Sequence, residues 1–303
     1  MDEVSPDFIV SPKIHLISAS GWNEYELLDS GNGRKLERYG KYLLDRPEPE
    51  ALWMKALPEK TWQNADAVYN LGNGLNSGSW QIKSQIPTQW YISYRNLKFL
   101  LQLSSSRHIG VFPEQAVQWD WISEKISHAQ NPIKVLNLFG YTAIASLAAA
   151  QEGAKVTHVD ASNKAILWAK QNQQAAHLSD APIRWILDDA LKFIQREVRR
   201  GSNYDGIILD PPKFGRGPKG EVWDFYKLFP QLMEICRQVL NPNPLFIVLT
   251  AYAVKASALT LYYSVDQMMS GYRGEVSAGE TVLVEKSAGR MISTAMYVRW
   301  NAL

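Results

Sequence analysis

What this sequence lacks narrows its possibilities first. It holds a single cysteine, Cys236, which excludes an intramolecular disulfide and fits a reducing compartment. No stretch approaches the roughly 18 consecutive apolar residues of a membrane-spanning helix. The opening residues, Met1-Asp2-Glu3-Val4-Ser5-Pro6, are acidic and proline-containing and do not read as a signal peptide. A cytoplasmic protein is therefore expected. The histidines (His15, His108, His128, His158 and His177) form no i, i+4 pair and have no cysteine partners, so no metal site is expected. Charge of one sign is missing too. A formal net charge of +2 excludes a global positive field, so any nucleic-acid contact must rest on local patches. Core material is plentiful: 46% of the 303 residues are hydrophobic, enough for one large or two smaller domains.

Two regions differ in pattern. Residues 1–104 read as a small, mainly β domain, with short strand-like runs at Ile14–Ser18, Tyr25–Leu28, Arg34–Tyr39 and Tyr42–Leu44. Ser30-Gly31-Asn32-Gly33 is a hairpin turn signal. Trp53, Trp62, Trp80 and Trp90 follow. They would stack on bases if exposed, but large aromatics usually supply buried area, and core packing is the favoured reading.

Residues 105–303 alternate apolar strands with helical segments. Val135-Leu136-Asn137-Leu138-Phe139-Gly140-Tyr141-Thr142 leads from a strand into an alanine-rich helix, with Gly140 permitting a tight turn and close approach of a ligand. A single glycine there does not make the dinucleotide-binding fingerprint. The next strand ends at Asp160, about twenty residues on, where ribose hydroxyls are commonly bound. A third, Ile183–Leu187, ends in Asp188-Asp189-Ala190, and an acid there can accept from an exocyclic amine. The fourth, Tyr204–Leu209, runs into Asp210-Pro211-Pro212-Lys213-Phe214. Two prolines after an acid hold the backbone extended and stop it turning directly into a helix. The acceptors on that loop then face the crevice where open α/β sheets bind ligands. Read alone, the same tripeptide is also compatible with an ordinary turn.

Four successive strand ends, each bearing one polar group, resemble the order in class I S-adenosylmethionine-dependent methyltransferases. Val135–Thr142, Leu209–Phe214 and His108-Ile109-Gly110-Val111-Phe112-Pro113-Glu114-Gln115 are similar to segments of the bacterial 23S ribosomal RNA methyltransferase family that contains 5-methylcytosine and 7-methylguanine enzymes. The resemblance implies a Rossmann-like, seven-stranded, mostly parallel sheet with its last strand antiparallel, here joined to the small N-terminal domain. It implies S-adenosyl-L-methionine as cofactor. Asn137, Phe139, Gly140, Tyr141 and Thr142, with Phe112, would hold its methionine part. Asp160 and Ala161 would take the ribose, and Asp188, Asp189 and Ala190 the adenine. Asp210, Pro211, Pro212, Lys213 and Phe214 would receive the methyl acceptor, with Asp210 bordering the cofactor as well.

This sequence departs from the family in two ways. The 5-methylcytosine members use a cysteine near the fifth strand, whereas Phe246–Thr250 and the residues after it contain none. Cys236 falls in a helical pattern and reads as core, so covalent C5 chemistry is disfavoured. The family's PUA-type RNA-binding domain also has no counterpart in the first hundred residues. The leading expectation is methylation of a base nitrogen in RNA, ribosomal RNA foremost. Alternatives are a protein or small-molecule nitrogen, or cofactor or RNA binding without catalysis. A nicotinamide oxidoreductase ranks last because the phosphate-binding glycines are missing. Gly215-Arg216-Gly217-Pro218-Lys219-Gly220 reads either as a mobile loop that orders over a phosphate backbone or as a plain connection.

Overall fold

The computed structural model describes residues 12–72, 78–83 and 85–303, so the acidic Met1–Pro6 segment lies outside the described residues. The chain begins with strand β1 (Ile14–Ile17), then β2 (Tyr25–Gly31), β3 (Arg34–Tyr39) and β4 (Tyr42–Pro47). The short helix α1 (Glu59–Gln63) precedes β5 (Ala67–Leu71) and β6 (Gly78–Ile82), and β7 (Gln89–Tyr94) pairs with β8 (Leu97–Gln102) in a hairpin. Strands β2 to β6 form one sheet in chain order, all antiparallel except β4 against β5. The β2–β3 turn is made by Asn32 and Gly33, both at positive φ (53° and 73°), as the hairpin signal requires.

The tryptophans of this region supply packing. Trp62 and Trp90 are buried, and Trp53 and Trp80 pack against the same cores. Trp62 also donates through Nε1 to Asp29 at 2.9 Å. Inside the sheet, Glu37 is fully buried but accepts from Arg46, Tyr25 and Tyr39 at 2.7–3.0 Å, so its charge is paired. Arg46 and Lys35 hold its carboxyl at about 2 against the opposing cost of burial.

After a 3-10 turn at Pro113–Gln115 come α2 (Ala116–Ser127), β9 (Lys134–Leu138), α3 (Ile144–Gln151), β10 (Lys155–Asp160), α4 (Asn163–Ala175), β11 (Ile183–Leu187) and α5 (Ala190–Arg199). Then follow β12 (Gly206–Leu209), the small hairpin β13 (Phe214–Arg216) and β14 (Val222–Asp224), α6 (Phe225–Gln238), β15 (Phe246–Ala251), α7 (Ala258–Met268), β16 (Gly274–Val284) and β17 (Met291–Ala302). Among the described residues the large sheet runs β1-β16-β17-β15-β12-β9-β10-β11. Strands β9 to β12 and β15 are mutually parallel, and β17 runs antiparallel to β15. Strands β9, β12 and β15 are buried almost throughout and do not alternate, as expected of parallel strands covered on both faces.

The mostly parallel sheet and antiparallel last strand match the expected architecture. The eighth strand is β1, which pairs parallel with β16 in place of joining the N-terminal sheet. The β7–β8 hairpin likewise packs on the side of the large sheet: Trp168 and Asn172 of α4 bond the Leu100 carbonyl and amide at 3.0 and 2.8 Å. One apolar cluster joins Tyr25, Leu27 and Phe99 to Trp119, Ile144, Leu147, Leu283 and Ile292, so the two regions share a core. No described helix is long and apolar enough to cross a membrane.

Candidate active site

The carboxyl ends of β9, β10, β11, β12 and β15 converge on a cavity of about 440 Å³. Its lining includes Phe112, Phe139, Tyr141, Asp160, Ala161, Asp188, Asp189, Ala190, Asp210 and Pro212. Segments far apart in sequence thus meet as expected. A second, narrow cavity of about 60 Å³ adjoins it and is lined by Asn137, Gly140 and Thr142, together with Phe112, Phe139, Tyr141 and Asp210, which border both.

The loop after β9 is built differently from its sequence reading. The left-handed residues are Phe139 (φ 60°), Tyr141 (φ 48°) and Ala143 (φ 71°), not Gly140. Non-glycine residues in that region each cost about 1–3 kcal/mol and gather at functional sites. Gly140 is required for another reason: a Cβ there would sit 2.3 Å from Cε1 of His158. His158 is fully buried on β10 and bonds Ser146 Oγ through Nδ1 at 2.9 Å, and Ser146 also receives Asn137 Nδ2 at 2.9 Å. Thr142 donates to the Gly110 carbonyl at 2.7 Å. Asn137, Gly140 and Thr142 therefore shape the loop from beneath.

Asp160 braces this loop from the next strand. Its Oδ2 accepts the Tyr141 amide and its Oδ1 the Ser162 amide, each at 2.8 Å. Burial raises its pKa, and these backbone donors oppose the rise. With about four lone-pair sites on its two oxygens, the carboxylate can accept a further donor. Asp189 caps α5 by accepting the Lys192 amide at 2.9 Å, while Asp188 accepts the Asp189 amide at 2.9 Å and pairs with Arg196. The Arg196 end of α5 is thus tied back to the site.

Asp210 stands where the two cavities meet. Its Oδ1 accepts the Thr250 hydroxyl at 2.8 Å. Burial pushes its pKa up to about 7; the Thr250 bond works against the rise, and the nearby Glu114 carboxylate adds to it. Pro211 is buried and Pro212 lines the cavity, with its carbonyl receiving Trp223 Nε1 at 2.6 Å. Trp223 in turn packs on Phe139 at 4.9 Å between ring centroids, so one indole fixes both loops. Lys213 and Phe214 do not line either cavity, Phe214 being 58% exposed.

The 215–220 stretch is part of a hairpin and not a plain connection. It forms the tip of the β13–β14 hairpin, closed by Gly217 N to Glu221 O at 2.8 Å and tethered to α5 by Lys192–Glu221 at 2.8 Å. Gly215, Arg216 and Gly217 line the cavity from this flap. Further lining residues, Tyr252, Trp168, Trp223 and His108, escaped the sequence reading because aromatics in apolar surroundings look like core. The strand-end position of Tyr252, just past β15, was the available signal.

Aromatic walls with carboxylates on several sides, and only one glycine in the β9 loop, suit a flat, phosphate-free, cationic nucleoside. S-Adenosylmethionine has that chemistry, so the residues present fit it. Fold and cavity together define a class I methyltransferase. The sequence profile of the S-adenosylmethionine-dependent methyltransferase family matches residues 76–248, and the chain belongs to that family. The crystal structure of the SAM-dependent methyltransferase from Agrobacterium tumefaciens superposes with a TM-score of 0.92 at 48% identity, covering 95% of this chain and 94% of that one. A Streptococcus mutans chain described as a SAM-dependent methyltransferase shares the fold at TM-score 0.72 and 18% identity, over 93% of this chain and 76% of the other. Among curated relatives, ribosomal RNA large subunit methyltransferase K/L of Shewanella frigidimarina is 35% identical over 48% of this chain and 20% of its own length. Ribosomal RNA large subunit methyltransferase I of Aeromonas salmonicida is 27% identical over 69% of this chain and 48% of its own length. The chain thus spans from a fifth to about half of these curated relatives.

Proposed function

We propose that this methyltransferase modifies a nitrogen of a base in RNA, with ribosomal RNA the favoured target and the cytoplasm its place of work. The observation that carries the reading is Asp210: a carboxylate on a double-proline loop, held at the junction of the two cavities with one oxygen fixed by Thr250. The names of the curated relatives support RNA as acceptor. Cys236 is fully buried in α6, and burial raises its thiol pKa far above neutrality, which argues against a covalent base adduct.

S-Adenosylmethionine supplies an electrophilic methyl group on a sulfonium when bound. Asp160, Asp188, Asp189 and Ala190 would hold the nucleoside, and the loop from Phe139 to Thr142 the amino-acid part. The protein's remaining task is positioning and proton handling. Asp210 accepts an N–H of the acceptor base, turning the nitrogen lone pair toward the cavity, and takes the proton released after transfer. A carboxylate whose pKa lies near 7 is a stronger base than an ordinary one at neutral pH. Trp223 occupies the Pro212 carbonyl, which leaves the Pro211 carbonyl as the next acceptor on a rigid loop.

A neighbouring cleft of about 710 Å³ shares His108, Phe112 and Tyr252 with the cofactor cavity and is walled by Arg107, Glu114 and residues of the N-terminal sheet. Burial and Arg107 keep His108 neutral, with a pKa of about 3, so the base would pass between uncharged rings. The test is transfer of labelled methyl to total RNA, to protein extract and to metabolites, followed by mass spectrometry of RNA nucleosides from a deletion strain. Label in RNA and a missing methylated nucleoside are expected. Label in protein or metabolites alone would overturn the assignment.

A further inference from the structure

Gln118 on α2 is 1% exposed and lines the narrow cavity that branches from the cofactor cavity. Its Oε1 accepts Arg299 Nε at 2.7 Å, while Arg299 Nη2 donates to the Val117 carbonyl at 2.9 Å. The amide cannot be turned round, because its NH₂ would then face the guanidinium. Held this way, Gln118 Nε2 is a buried donor with no hydrogen-bond partner among the described residues. A buried polar group left unsatisfied is costly and calls for an explanation, and the narrow cavity in front of it offers one.

Charge favours an anion at that donor. Arg299 stands behind the amide, with its guanidinium over the rings of Trp121 at 4.9 Å and Tyr297 at 5.3 Å. Burial lowers its pKa to about 10, so it stays protonated at neutral pH and polarises the amide it donates to. Asp210 and Thr250 belong to the same lining. The cavity therefore offers a polarised donor backed by positive charge as well as an acid. The amino-acid tail is the part of the cofactor that carries a carboxylate.

We propose that Gln118 Nε2 receives that carboxylate, with Arg299 as the positioning residue behind it, so that Gln118 selects cofactor forms bearing the tail. The inference rests on the cofactor alone and is independent of whether RNA is the acceptor.

Calorimetry on the full chain with two ligands tests it: S-adenosylhomocysteine, which has the tail, and 5′-methylthioadenosine, which lacks it. Gln118→Leu should weaken S-adenosylhomocysteine about tenfold or more, the loss of a hydrogen bond to a charged group, and leave methylthioadenosine within about twofold. Because leucine leaves Arg299 Nε without its acceptor, Gln118→Glu serves as the second variant. It keeps an acceptor for Arg299 but opposes a carboxylate, so the same selective loss should be larger there. Unchanged S-adenosylhomocysteine binding in both variants, or equal losses for the two ligands, would overturn the proposal.

Discussion

Asp160 and Asp210 are the same residue type at the ends of the two strands that flank β9 in the sheet, yet the chain treats them differently. Asp160 is grasped through both oxygens by backbone amides of its own strand–helix turn and of the loop after β9. Asp210 has one side-chain hydroxyl and a second carboxylate, Glu114, nearby. Both are pushed toward neutrality by burial, but only Asp160 has backbone dipoles arranged against that push. On the proposed function, the contrast separates a fixed holding end from a poised reacting end within one cavity. Backbone donors cannot be lost by a side-chain rotation, which suits a permanent brace. A weakly satisfied carboxylate is free to take a new partner.

The largest expected effect breaks this comparison at its reacting end. If Asp210 must be ionised to accept the base N–H, kcat/KM should fall as pH drops through about 7, and Asp210→Asn should remove that limb along with most activity. The sign for stability is opposite. A carboxyl whose folded pKa is raised contributes stability that is present below its unfolded pKa and lost as pH rises through about 7. Asp210→Asn should therefore melt higher than the parent protein at pH 8 and no higher at pH 4, as thermal unfolding at the two pH values would show.

A smaller effect is expected at Trp223. Trp223→Phe keeps a ring against Phe139 but frees the Pro212 carbonyl. Transfer kinetics should show kcat lowered roughly tenfold, about 1.4 kcal/mol of alignment, with S-adenosylhomocysteine affinity little changed. An equal loss in cofactor affinity would assign Trp223 to the holding end. The smallest effect is expected at Cys236, buried in α6 away from either carboxylate. Cys236→Ser should retain transfer with only a modest drop in melting temperature, and abolished activity in a folded variant would restore cysteine chemistry.

The strand ends were legible because each acid terminates an apolar run, a pattern that parallel sheets with buried faces impose. Asp160, Asp188, Asp189 and Asp210 meet for that reason. The bend after β9 was not legible in detail. Its left-handed residues are Phe139, Tyr141 and Ala143, held by Asp160 and by close packing of Gly140 on His158, contacts that no local signal reveals. The β13–β14 flap was obscured because glycine and proline promote both hairpin tips and unstructured loops. The place of β1 beside β16 depends on a partner near the other end of the chain, beyond any local periodicity. Trp168 and Trp223 looked like core because, apart from the faces they turn to the cavity, they are core, whereas Tyr252 is half-buried at the strand end.

The division of labour between the two aspartates is tested most directly by crossing Asp160→Ala and Asp210→Ala, with S-adenosylhomocysteine affinity and single-turnover transfer at saturating cofactor measured on both. Asp160→Ala should lose about tenfold to a hundredfold in affinity, roughly 1.5–3 kcal/mol, and keep much of its single-turnover rate. Asp210→Ala should bind the cofactor nearly normally and lose transfer by a factor of about a hundred or more, the mark of an interaction made mainly in the transition state. Near-normal turnover in Asp210→Ala, or parallel loss of affinity and rate in both variants, would contradict the account.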